Sequence, residues 1–484
     1  MEKTLKEKTT SALIWSFIDK FGQQIIYLAT GIVLGRILSP DDYGLVGMLV
    51  FFTAISTILI GSGYSRALMN QYNVSQDELN SVFYYNILMA VFLYLLLYFC
   101  APFISIFFRQ PSLTLLSRVL FLSIIFTAFT NVQDFVLTKK MDLNSIAKAN
   151  VFSLLPASLL AMIAAIFGFG VWALVLQALL MSIIKMFFYW HYGKWSPTRS
   201  FHFHILKDLY PFSSRVLLMN MINALFNNIY AIIIGRLYNV TQLGFYTQAS
   251  KYQDIPTGLI TNTFRTVSIP LLSGLNEENE RLKRILSKLI KTIAFICFPV
   301  LIGMVLISKP LFIVLITEKW LPSVPIFRIL CISGIFSTLN YVLQESILAK
   351  GRSKELLIIE ILKKFFLVLL ILLTIKNGVI GLATGWAVSS LLTLLLSLYL
   401  SNRIVRYSLF DLLKDCFPYF TIASVLCFAA WVLSRPITNN FLFLSFCISF
   451  VGILYLLACR LFKLEAAEEI YGWILQKRDK NNKK

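Results

Sequence analysis

The sequence is poor in charge. Asp, Glu, Lys and Arg make up 14% of its 484 residues, where a soluble chain carries about 25%. That excludes a water-soluble globule, because the apolar excess needs lipid as its solvent. Acids are scarcer than bases, 24 against 44, and there are 3 histidines. His202-Phe203-His204 has no carboxylate or cysteine nearby to complete a metal site. The 7 cysteines (100, 297, 331, 416, 427, 447 and 459) are scattered, and none forms a C-x-x-C pair. They read as small apolar residues, so no metal and no cofactor is expected. Connections between apolar runs reach about 20 residues, too short for an inserted catalytic domain of about 50. The basic start "MEKTLKEKTTSALIW" leads into Asp19, Lys20, Gln23 and Gln24. A cleavable signal peptide would show a short apolar core and a small-residue cleavage site there, so none is expected.

Apolar runs of about 20 residues, the length that crosses a bilayer, recur along the whole chain. Fourteen are expected, at 12–34, 43–66, 82–108, 113–136, 146–167, 171–191, 212–234, 243–270, 291–316, 322–346, 356–375, 379–401, 417–434 and 441–461. The first and eighth are the most polar. The fold class is therefore an all-α polytopic membrane protein of about 14 transmembrane helices. With the N-terminus placed in the cytoplasm, alternate connections hold 25 Lys and Arg inside against 6 outside. This asymmetry predicts a multi-pass protein with both termini cytoplasmic. It also assigns most of the +20 net charge to topology, so no nucleic-acid partner is expected.

The stretch "GRILSPDDYG" at 35–44 has a counterpart 200 residues on, where Gly235, Arg236 and Gly244 repeat the spacing of Gly35, Arg36 and Gly44. Ser39 and Asn239, at the same shift, are both good helix N-caps. Pro40 suits a first helical turn, and Asp41 and Asp42 complement the positive end of a helix. Lys20, Gln23 and Tyr27 lie at i, i+3 and i+7, one helical face, and Asn220, Asn223 and Asn227 occupy the same offsets. "QDFVLTK" at 133–139 is echoed by "QESILAK" at 344–350, and Gly170-Val171 by Gly378-Val379. The chain thus divides into two six-span halves, 1–195 and 205–402. Two added spans cover 403–462, and a basic cytoplasmic tail covers 463–484. Six spans return the chain to its starting side, so the repeat is parallel. Proteins of two such lobes hold a ligand between them and alternate access by rocking.

Thirteen bases fall within the expected spans: Lys20, Arg66, Arg118, Lys148, Lys185, Arg215, Lys251, Arg265, Lys291, Lys309, Arg328, Lys363 and Lys364. Only five acids do: Asp19, Asp134, Asp254, Glu345 and Glu360. A base at mid-bilayer costs about 2.5–3.5 kcal/mol. Arg66, Lys148, Lys291, Lys309 and Arg328 are near enough to span ends to snorkel. Pairing the rest with five acids, as neutral locks between helices, still leaves positive charge over, and that suits an anionic ligand such as a phosphate or acidic sugar. The candidate substrate-binding residues are Lys20, Gln23, Asn220, Asn223, Asn227, Lys251, Arg265 and Lys363. Asp19, Asp254 and Glu360 are candidate proton or sodium sites, or salt-bridge partners. No catalytic residue and no metal ligand is assigned, and the chain reads as a transporter rather than an enzyme.

With "GIVLGRILSPDDYGLVGMLVFF" at 31–52, fourteen spans and two parallel halves, the chain resembles the polysaccharide transporter family. These are the O-antigen and exopolysaccharide flippases of the multidrug/oligosaccharidyl-lipid/polysaccharide (MOP) superfamily. The resemblance implies two six-helix lobes in a V around a central cavity, in the cytoplasmic (inner) membrane. It implies translocation of undecaprenyl-pyrophosphate-linked oligosaccharide repeat units for O-antigen, capsule or exopolysaccharide. The implied partners are that lipid-linked anionic oligosaccharide, membrane lipids, and in function polysaccharide polymerase and glycosyltransferases. No substrate-binding motif of the family maps onto the chain, so the candidate residues rest on helix position and charge. A flippase for lipid II or a teichoic-type lipid-linked precursor shares the same physics. A MATE-like cation or drug antiporter needs an acid-rich interior, and a membrane glycosyltransferase or polymerase needs a large outer loop or grouped acids.

Overall fold

A computed structural model describes residues 5–61, 63–273 and 279–469. Among them are sixteen α-helices and no strand. Ten of the helices are long and apolar enough to cross a membrane. Residues 470–484 of the expected basic tail lie outside the described residues.

Two compact units divide the chain, Met1–Thr247 and Gln248–Lys484. The first holds α1 (Leu5–Ile37), α2 (Pro40–Gly61), a short α3 (Tyr64–Met69), α4 (Gln76–Phe108), α5 (Leu113–Leu120), α6 (Leu122–Lys139), α7 (Leu143–Ile166), α8 (Trp172–Gly193) and α9 (Phe203–Leu237). It ends in the first turns of α10 (Val240–Ser273). The second holds the rest of α10, α11 (Asn279–Ile316), α12 (Ser323–Ala349), α13 (Ser353–Thr374), α14 (Gly378–Val405), α15 (Leu409–Leu433) and α16 (Asn440–Leu461). The packing boundary thus falls inside α10, whereas the sequence echo draws its own at 195–205.

The caps follow the sequence. Ser39 and Asp42 close a capping box, with Ser39 N–H to Asp42 Oδ2 at 2.8 Å and Asp42 N–H to Ser39 Oγ at 3.3 Å. Asn239 Oδ1 accepts the Gln242 amide at 2.8 Å. Ser75 with Glu78 and Ser408 with Asp411 form further boxes at the starts of α4 and α15. Prolines sit inside helices at 102, 156, 211, 256, 299, 310 and 418. Membrane bundles tolerate them because neighbouring helices and hydroxyl side chains satisfy the freed carbonyls. One turn after Pro418, the Thr421 hydroxyl donates back to Phe417 O at 2.8 Å and Pro418 O at 3.0 Å.

Two expected spans are interrupted. The second, 43–66, stops at Gly61, and α3 begins after Gly63. Gly63 has φ of 75°, and a Cβ on it would lie 2.6 Å from the Ser213 carbonyl oxygen on α9. Left-handed backbone and close approach both require glycine there. Arg66 therefore sits on α3 and not on a membrane-crossing helix. The fourth, 113–136, breaks at Phe121, where the pattern tightens to an Ile124 N–H to Phe121 O bond of 3.0 Å.

Helices pack through small residues, as expected where lipid offers no hydrophobic drive for association. On α7, Ala149, Ala157 and Ala161 are fully buried, and α7 packs on α1 and α8. Gln177 Nε2 reaches from α8 to Ser158 Oγ at 3.0 Å. In the second unit Ser333 of α12 and Ser390 of α14 bond at 2.9 Å. Large side chains such as Phe99, Phe103 and Phe428 are turned outward, at 70%, 71% and 65% exposed.

The two echoing stretches pack on each other. A Cβ on Gly44 would collide with the Val240 carbonyl oxygen, and a Cβ on Gly244 with that of Pro40. Both contacts are the same contact once 200 is added or subtracted, so a local two-fold relates them. Positions 41 and 241 face each other near that axis, with Thr241 Oγ1 donating to Asp41 Oδ1 at 2.5 Å. Gly44→Val and Gly244→Val should each lower the melting temperature of the detergent-solubilised protein. The overpacking costs about 1–3 kcal/mol, and local symmetry makes the two losses similar. Tryptophan-fluorescence melting measures both, and an unchanged midpoint in either variant contradicts the reciprocal contact.

Candidate functional site

Asp19 on α1 is buried, at 6% exposed. A buried carboxylate must be compensated by donors. Gln23 Nε2, one turn along the same helix, donates at 2.7 Å. Asn150 Nδ2 on α7 reaches both carboxylate oxygens at 3.2 Å. Asn150 Oδ1 in turn accepts from Tyr189 O–H on α8 at 3.5 Å. The Lys185 ammonium lies 5.2 Å from the centre of the Tyr189 ring, within electrostatic reach of Asp134, Asp19 and Lys20. The direct partners of Asp19 are thus amides, with a cation in the next layer. Two side chains on the face of the first span behave differently. Lys20 is exposed, and Tyr27 donates to Met181 Sδ at 3.3 Å.

Of the echoing amides on α9, Asn220 and Asn227 are exposed and Asn223 is half-buried. On α10, Lys251, Asp254 and Arg265 fall within about 60° of one another at 100° per residue. Asp254 and Arg265 are exposed and Lys251 is half-buried. Ser250 donates to Asp254 Oδ2 at 3.3 Å. The adjoining face of α10 is turned inward: Gln253 and Thr257 are buried against Gly334 of α12. Arg265 is in electrostatic reach of Tyr341 on α12. On α13, Glu360 and Lys363 form an i,i+3 pair at 3.7 Å, about 40% exposed on both sides.

The structure therefore brings Asp19 to Gln23 and Glu360 to Lys363, and keeps Asp254 with Ser250 on its own helix. It adds Asn150 and Tyr189 to the Asp19 cluster. Asn150 stands 131 residues from Asp19; a lone asparagine within the apolar fifth span was the only signal. Lys185 and Asp134 are intramembrane charges that the sequence left without an assigned role.

Lys291 and Arg328, both expected to snorkel, and Arg118 have specific partners. Lys291 on α11 pairs with Glu465 at 2.6 Å and with the buried Asp415 of α15 at 3.6 Å. Asp415 also accepts from Ser287 Oγ at 2.5 Å and Tyr407 O–H at 2.8 Å. Tyr407 lies in the connection between α14 and α15. Burial, and then the charge of Asp415, raise its hydroxyl pKa well above the usual range, so it stays a donor. Arg328 donates to Ser308 Oγ at 2.7 Å, and Arg118 lies 4.3 Å over the Tyr98 ring.

A polytopic helical membrane protein with charge held inside its bundles is the class this arrangement defines. The chain belongs to the polysaccharide biosynthesis protein family, whose pattern matches residues 33–325. It is 27% identical to the teichuronic acid biosynthesis protein TuaB of Bacillus subtilis (strain 168), over 72% of this chain and 73% of that one. It is 22% identical to the succinoglycan biosynthesis transport protein ExoT of Rhizobium meliloti (strain 1021), over 69% and 68%. Its fold is shared with the lipid II flippase MurJ in the inward closed conformation, with a TM-score of 0.75 at 16% identity over 93% of this chain and 98% of that one.

Asn150→Leu should destabilise the protein by about 1–3 kcal/mol, because it strips donors from a buried carboxylate. Asn150→Leu with Asp19→Leu should lose less than the two single changes added together. A four-way comparison of melting midpoints checks this, and strict additivity would show that the two side chains are not coupled.

Proposed function

We propose that the protein is a flippase for undecaprenyl-pyrophosphate-linked oligosaccharide repeat units, used for O-antigen, capsule or exopolysaccharide. It works by alternating access in the cytoplasmic membrane, with both termini in the cytoplasm and two six-helix lobes extended by two C-terminal helices. Family membership is the observation that carries this reading. Relatives named for polysaccharide assembly and transport, and a fold shared with a flippase of a lipid-linked precursor, support it. So does the excess of bases over acids in the spans. A pyrophosphate head with a sugar attached needs cations for the phosphates and amides for the hydroxyls. The residues proposed to supply them are Lys20, Gln23, Asn220, Asn223, Asn227, Lys251, Arg265 and Lys363. Lys251 and Arg265 carry most of the weight, since they share one face of α10. Lys363 is partly neutralised by Glu360, so its contribution is smaller.

Asp19 is the proposed ion-coupling residue of the first unit. Its amide cradle keeps a carboxylate available without fixing a permanent ion pair on it. Asp254 is proposed for the second, and Glu360 serves mainly as the partner of Lys363. Polymerase and glycosyltransferases are the proposed functional neighbours, since they supply and consume the lipid-linked unit. One second reading has an observation in its favour: the teichuronic acid relative makes a teichoic-type lipid-linked precursor an alternative cargo.

Deleting the gene should strand lipid-linked repeat units on the cytoplasmic leaflet. A membrane-impermeant periplasmic-side enzyme that labels exposed units reads this out, and normal labelling in the deletion strain would end the flippase reading. Lys251→Glu and Arg265→Glu should each reduce transport at least tenfold while membrane levels stay unchanged on immunoblots. Full complementation by both reversals refutes the placement of the anion site on α10.

A further inference from the structure

The connection between α8 and α9 joins the two sequence repeats, and a tether between rocking halves is expected to be loose. Here it is bound along its length. Gln76, Asp77, Asn80, Ser81 and Tyr84 lie on one face of α4, and every one of them bonds to residues 195–202. Trp195 Nε1 donates to Gln76 Oε1 at 2.9 Å, and Gln76 Nε2 donates to Ser196 O at 2.8 Å. Asn80 is fully buried. It accepts the Thr198 amide at 3.0 Å and donates to Thr198 Oγ1 at 2.5 Å and Ser200 Oγ at 2.7 Å. Tyr84 O–H donates to Thr198 O at 3.0 Å, Ser200 Oγ to Asp77 Oδ1 at 2.6 Å, and His202 N–H to Ser81 Oγ at 3.0 Å. From α6, Gln133 Nε2 donates to Trp195 O at 2.7 Å. The Trp195 ring packs edge-on against Phe83, with centroids 5.3 Å apart.

A connection that only spanned a gap would leave these polar groups to water. Instead an asparagine with no exposed surface spends its amide on the backbone and side chains of a loop. Ser81, also fully buried, is used the same way. The far end is held as well, since α9 closes on Gly63 at Ser213, where no Cβ fits.

We propose that segment 194–202 is a fixed strap, docked on α4 in every state of the transport cycle, so that α8, the strap and the start of α9 move with α4 as one body. The part of this that concerns a cycle rests on the flippase reading; the docking itself does not. The test uses the full-length protein with Cys100→Ser, the remaining six cysteines being buried. Asp77→Cys and Ser200→Cys are added, and a short bis-methanethiosulfonate reagent links them. The expected result is cross-linking of most molecules, equally with and without an undecaprenyl-pyrophosphate-linked oligosaccharide. Transport of that lipid in proteoliposomes should stay within twofold of the unlinked protein. In the unmodified protein, the Thr198 and His202 amides should exchange with deuterium at least a hundredfold more slowly than an unstructured peptide. Failure to cross-link, exchange at the unstructured rate, or a tenfold loss of transport that reducing agent restores overturns the proposal. A protein that moves no such lipid before linking removes the flippase reading alone, and exchange and cross-linking still decide whether the strap is docked.

Discussion

A backbone that enters hydrocarbon must satisfy its own hydrogen bonds, and the rest of this structure follows from that constraint. It explains why the described residues contain helices and no strand, and why helix starts are finished by side chains such as Ser75, Ser408 and Asn439. At Gly63, where the chain leaves helical geometry, the backbone of α9 lies close by.

The same solvent makes charge expensive, and the protein handles its charges in three ways. Asp19 accepts from two amides, Gln23 and Asn150, with Lys185 in the next layer. Asp415 is cancelled, with Lys291 beside it and two hydroxyls donating to it. Glu360 and Lys363 are paired with each other, half-exposed, on one helix. These differ in consequence. A cancelled charge holds helices together, whereas Asp19 is held by neutral donors, and the sequence composition alone does not separate the two.

Much of the fold was legible. Twelve of the fourteen apolar runs each fall on a single helix to within a residue at the ends, and the caps at Ser39 and Asn239 form as the residue types predict. Local chemistry decides those features, and local chemistry is what a sequence displays. The breaks after Gly61 and at Phe121 were not legible, because they answer to contacts elsewhere, Gly63 against Ser213 being the clearest. The site was legible in its charges and not in its wiring. Asp19 and Gln23 are one helical turn apart and could be paired on paper. Asn150 and Tyr189 come from helices far along the chain, and only packing brings them in. Likewise the polar run 196–202 reads as an ordinary exposed loop until Asn80 is seen beneath it.

The contact between Asp41 and Thr241 carries one more consequence. In two identical copies related by a two-fold, the residue on the axis meets itself. An aspartate there would set two carboxylates against each other, and a threonine would meet only another threonine. One continuous chain escapes this rule, because its two copies are free to differ. Residues 41 and 241 do differ, and the result is a bond from a hydroxyl to a carboxylate that no pair of identical chains could make at that point. The seam between the two echoing stretches is thus written for a single polypeptide. Either stretch set against a copy of itself would lose this complementarity.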